Sequence, residues 1–80
     1  MDDAEIVRRV GELTEQEQQL ERSHAGEPLT DEELEKLRSL EVALDQCWDL
    51  LRQRRARRNA GLDPEDAAVR PESVVEGYQQ

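Results

Sequence analysis

Eighty residues with a formal net charge of -9, 39% charged and 35% apolar side chains and no phenylalanine supply one small domain at most, with a marginal core as a monomer. That charge opposes general nucleic-acid binding, which needs a cationic surface, and favours a basic or mixed-charge partner. No run approaches the roughly 20 apolar residues of a membrane span; the acidic start MDDAEIVRRV is no signal peptide, and a lone cysteine points to a reducing, cytoplasmic compartment.

The first element is a helix over about residues 3-24. Asp2 serves as N-cap with Glu5 three positions on, a capping box. Its seam, Ile6, Val10, Leu13, Glu17, Leu20 and His24, repeats at heptad-like spacing, with two polar members weakening it toward the end. Gly26 and Pro28 then break the helix.

The second helix is expected over about 31-60. Thr30 and Glu33 make a capping box, Leu29 and Leu34 occupy the staple positions, and Asp31 and Glu32 sit in the positive first turn. Gly61 is the stop. The short connection closes an antiparallel hairpin over 1-61. With the turn centred near residue 27, Leu20 meets Leu34, Val10 meets Leu44, Ile6 meets Trp48 and Asp2 approaches Arg52. Everything from Arg54 onward then overhangs the first helix.

Residues 62-80 read as an acidic tail with short helical turns, the first opened by Asp63 with Pro64 at N1. It carries five acids against one arginine, Arg70, and the apolar anchors Val69, Val74, Val75 and Tyr78.

The second helix carries two overlapping apolar stripes, one through Leu34, Leu37, Leu44, Trp48 and Leu51, the other adding Leu40 and Cys47. Together they are wider than one partner helix needs. The fold expected is therefore all-α: an antiparallel two-helix hairpin with a short, partly helical C-terminal tail, dimerising into a four-helix bundle. Leu13, Leu20, Leu34, Leu37, Leu44, Cys47, Trp48 and Leu51 are the expected core or dimer interface.

The cluster RQRRARR at 52-58 is the most distinctive chemistry. Cations in the last turns of a helix complement its dipole, and the acidic tail would add to that. The functional reading is a docking patch for phosphate or acidic protein, but no aromatic residue is interleaved for base stacking. Cys47 reads as an inert buried thiol, since its only candidate activator, His24, lies at the other end of the hairpin. Glu21 and His24 have the spacing of carboxylate-bundle metal ligands, but they fall at a fraying helix end and a solvated end is the sounder reading. The acids at the hairpin tip, Glu27, Asp31, Glu32 and Glu33, are those a helix N-terminus ordinarily attracts. No nucleophile, oxyanion loop, phosphate cradle or cysteine metal set is present, so neither catalysis nor a cofactor is expected.

The stretch LDQCWDLLRQRRARRNAG at 44-61 and the ending VRPESVVEGYQQ resemble a family of short proteins from high-GC Gram-positive bacteria known as domain of unknown function 2630. The likeness runs from the MDDAEI start to the VEGY end and is least distinctive in the loop joining the helices. It implies a stand-alone cytosolic bacterial protein and transfers no catalytic residue.

The function expected is a small non-enzymatic interaction module or regulator. Arg54, Arg55, Arg57, Arg58 and Tyr78 would contact an unidentified protein partner, and the chain would be homodimeric with no membrane attachment. The alternative is a nucleic-acid or ribonucleoprotein binder working through the same arginines.

Overall fold

The computed structural model describes residues 2-23 and 26-76, apart from the side chain of Glu76. It is all-helical, with two long helices and a short tail: α1 (Asp3–Arg22), α2 (Asp31–Asn59), a single 3-10 turn (Pro64–Asp66) and α3 (Glu72–Glu76). His24 and Tyr78, both singled out from the sequence, lie outside the described residues.

Both long helices begin where their side chains satisfy the orphan N–H groups. The Asp2 carboxylate accepts from the Glu5 amide at 2.8 Å, and Thr30 Oγ1 accepts from the Glu33 amide at 3.2 Å. In each case the glutamate reaches back to the cap amide, completing the box. The end of α2 is equally specific. Gly61 adopts φ 75, its amide bonds the Arg58 carbonyl and the Leu62 amide bonds the Arg57 carbonyl, a Schellman closure that needs a left-handed residue.

The helices pack antiparallel, with Ile6 and Leu13 of α1 fully buried against Leu40 and Leu50 of α2. The face α2 turns to α1 is Leu40, Ala43, Cys47, Leu50 and Arg54, spaced three and four apart. This corrects the expected seam and register. Asp3, expected opposite residue 51, bonds both Arg54 and Arg58, roughly a turn further along α2. Arg54 therefore does not overhang. Its guanidinium has partners on both α1 and the tail, so this seam closes on an ion pair rather than on Trp48.

From Gly61 the chain turns back and runs along a second face of α2. Val75 of α3 is buried there, close to Val42 and Asp45. One apolar stripe of α2 is thus taken by α1, and part of the surplus by the protein's own tail.

Candidate interaction surface

Four arginines of the end cluster have very different surroundings. Arg54, with its side chain only 7% exposed, donates from Nε to Asp3 at 2.5 Å, from Nη1 to the Pro64 carbonyl at 3.2 Å and from Nη2 to Glu65 at 3.2 Å. Its position a heptad after Cys47 puts it on the α1 seam. Arg57 donates to the Asp63 carbonyl at 2.6 Å and pairs with Asp66, while Arg58 pairs with Asp3 at 3.0 Å. The acidic tail and the first turn of α1 have closed around these three. Arg55 alone of the four points outward, with no ion-pair partner among the described residues.

The same electrostatics set the protonation of Asp3. Hydrogen bonds from Arg54 and then Arg58 hold its carboxyl below the ordinary value, against a smaller opposing effect of burial, and Asp3 in turn raises Arg54.

Sequence reasoning missed the polar clasp on the tail side of α2. Asp49 is 1% exposed and accepts from both Nε and Nη2 of Arg70, and from Gln53 at 2.9 Å. Gln53 also donates to the Ala68 carbonyl at 2.8 Å, and Gln46 to the Arg70 carbonyl at 3.2 Å. Arg38 pairs with Glu72 at 2.8 Å. Gln46, Asp49 and Gln53 recur at spacings of three and four, a polar stripe that fixes an extended segment with little backbone pairing of its own. The available signal was Arg70, the single cation of an acidic tail. The hydrogen bond from Arg70, outweighing desolvation, holds the Asp49 carboxyl below its usual range. Among the described residues no buried side-chain nitrogen or oxygen lacks a partner.

Cys47 is half-buried beside an apolar cleft of about 240 Å³ shared with Ile6, Leu13, Leu50 and Val69. Desolvation raises its thiol pKa, outweighing the pull of Arg9, which disfavours the reactive thiolate. Among the described residues no group of three or more His, Cys, Asp or Glu is placed to hold a metal ion, and no helix is long and apolar enough to cross a membrane.

A third face of α2 remains open. Leu34 is 51% and Trp48 52% exposed, while Leu37, Leu44 and Leu51 on the same face are only half-buried. Trp48 and Leu34, expected in the core or a dimer interface, lie outside the core of the single chain, at its surface. The reason is angular. The α1 seam is centred about a third of a turn from Trp48, and the tail packs on the far side of that seam. Trp48 and Leu51 share a shallow groove with Arg52 and Arg55, so the outward arginine belongs to this apolar face. Of the other expected core residues, Leu13 is buried and Leu20 half-buried.

Residues 2-80 match the model of a family described as Protein of unknown function (DUF2630). Uncharacterized proteins of Mycobacterium bovis and Mycobacterium tuberculosis are each 46% identical over 78 residues, covering 95% of this chain and 88% of the relative. No solved structure matches.

Proposed function

The chain thus belongs to a family whose description assigns no activity, and we propose that it is a non-enzymatic protein-interaction module of the cytoplasm whose docking element is the open face of α2. One observation carries this reading: a tryptophan 52% exposed on a leucine stripe, between Leu44 and Leu51, in a helix already packed on two other faces. Exposing an indole there forgoes burial of a large apolar area, a cost of a kind that docking surfaces recover on binding.

Recognition by the arginine end narrows accordingly. Arg55, with Arg52 beside it, flanks Trp48 and Leu51 and supplies a cationic rim, while Arg54, Arg57 and Arg58 hold the fold together. Nucleic-acid binding through these arginines has less support, because acids of the same chain already neutralise three of them.

Hydroxyl-radical footprinting of Trp48 tests the proposal. Compared with dilute isolated protein, the indole should be several-fold protected inside cells producing the chain. Equal reactivity in both settings would mean that nothing covers this face.

A further inference from the structure

We infer that the occupant of the open face is a second copy of this chain, laid antiparallel along α2 with Leu34 against Leu51 of the second copy. This rests on the proposal that the face is a docking surface and names its partner.

The stripe Leu34, Leu37, Glu41, Leu44, Trp48 and Leu51 alternates at spacings of three and four, so it forms the a and d positions of a coiled-coil seam. In this register three layers form and are repeated by the twofold axis: Leu34 with Leu51, Leu37 with Trp48, and Glu41 with Leu44, each against the second copy. One edge of the seam is occupied by α1. The other carries Asp31, Arg38, Asp45 and Arg52, one residue per heptad and alternating in sign.

That alternation selects the arrangement. In the antiparallel register named, Asp31 lies beside Arg52 of the second copy and Arg38 beside Asp45 of the second copy, so all four edge pairs are opposite in charge. Shifting by one heptad in one direction sets Arg38 against Arg52 and Asp45 against its own copy. Shifting the other way sets Asp31 against Asp45 and Arg38 against its own copy. A parallel pair would stack Glu41 on Glu41 and Arg55 on Arg55 across the seam. Of these arrangements, only the first pairs every edge residue with an opposite charge. Arg38 already pairs with Glu72, but a guanidinium has five donors and can serve both carboxylates. Asp31 and Arg52 are exposed and the Arg38 side chain is 58% exposed, while Asp45 is half-buried beside Val75 of the tail.

Val7, 57% exposed on the flank of α1 away from Arg9 and the tail, extends the apolar surface on the side of α1. The assembly would be a four-helix bundle with the two α2 helices in contact and the clasped tails outside.

Sedimentation equilibrium and engineered disulfides test this together. The purified chain should behave as a dimer of its 9.2 kDa protomer at micromolar concentration. Arg52→Asp should weaken association roughly tenfold or more, and adding Asp31→Arg should restore it, a rescue no loss of folding could imitate. In a Cys47→Ser background, Leu34→Cys with Leu51→Cys should oxidise to a covalent dimer. Leu51→Cys alone should not, because the two copies of that residue lie ~26 Å apart along the axis. A monomer at high micromolar concentration, or equal cross-linking by the single variant, overturns the inference. A monomer whose Trp48 is nonetheless protected in cells would assign the face to a different protein, leaving the docking proposal intact. Unprotected Trp48 together with a monomer would remove both.

Discussion

Arg70, in the extended segment between the 3-10 turn and α3, forms a two-point ion pair with Asp49 in the middle of α2, and the aspartate is 1% exposed. This pair converts a tail with few apolar anchors into a third layer on α2. It also decides which face of α2 is left uncovered.

Arg70→Ala should therefore loosen the tail and destabilise the protein by about 2–3 kcal/mol, because it strands a buried carboxylate with Gln53 as its main partner. Hydrogen exchange would show faster exchange in residues 62-76, with the α1–α2 seam retained. Unchanged exchange in the tail would mean that Val75 alone docks it.

Acid should release the same clasp. The Asp49 carboxyl lies below its ordinary value of 3.8 in the folded chain, so the unfolded chain binds more protons as the pH falls. The stabilisation is complete above about pH 5 and is lost as the pH falls through the folded pKa. Melting temperatures of wild type and Asp49→Asn should converge below the ordinary value of 3.8 and run parallel at neutral pH. A gap that stays constant to low pH would contradict a role for the ionised carboxylate. Asp3, held low by Arg54 and Arg58, adds to the trend in the same direction.

Neighbouring arginines should differ sharply. Arg54→Ala removes a buried guanidinium that ties α1 and the tail to α2, and should lower Tm clearly. Arg55→Ala should change monomer stability by no more than about 0.5 kcal/mol. Equal effects in thermal melts would mean that the cluster acts only through its total charge.

Trp48→Ala should cost the isolated chain only about 1 kcal/mol, since half the indole is already in water. Leu50→Ala, at a site 6% exposed, should cost about 2–4 kcal/mol. Urea titrations at low protein concentration distinguish the two, and a larger loss at Trp48 would place it in a monomer core.

Glu41→Leu replaces the one charged member of the open stripe and should tighten self-association about tenfold or more, with little effect on the monomer. Unchanged association would show that Glu41 lies away from the seam.

The helices were readable from the sequence because their signals are local: two capping boxes, a glycine that must take positive φ, and heptad-like apolar spacing. The orientation of α2 was not, because it depends on distant pairs. Counting large side chains favours the stripe through Trp48 as the seam with α1. The seam that forms ends instead at Arg54, whose partner Asp3 is 51 positions away and whose other partner, Glu65, lies beyond the turn at Gly61. Asp49 looks like an ordinary solvated helix acid until Arg70, 21 positions later, is folded onto it. The arginine cluster was visible as an anomaly. Its division into three structural arginines, Arg54, Arg57 and Arg58, and two that flank the open face, Arg52 and Arg55, required the tail to be placed.

The central claim is that the exposed face around Trp48 is covered by a second copy, and the chain's single tryptophan reports on it directly. Emission and acrylamide quenching should be followed from nanomolar to high micromolar protein. The emission should shift to the blue and quenching should fall as concentration rises, and Arg52→Asp should displace the transition to higher concentration. Emission and quenching that stay constant across the whole range would contradict the account.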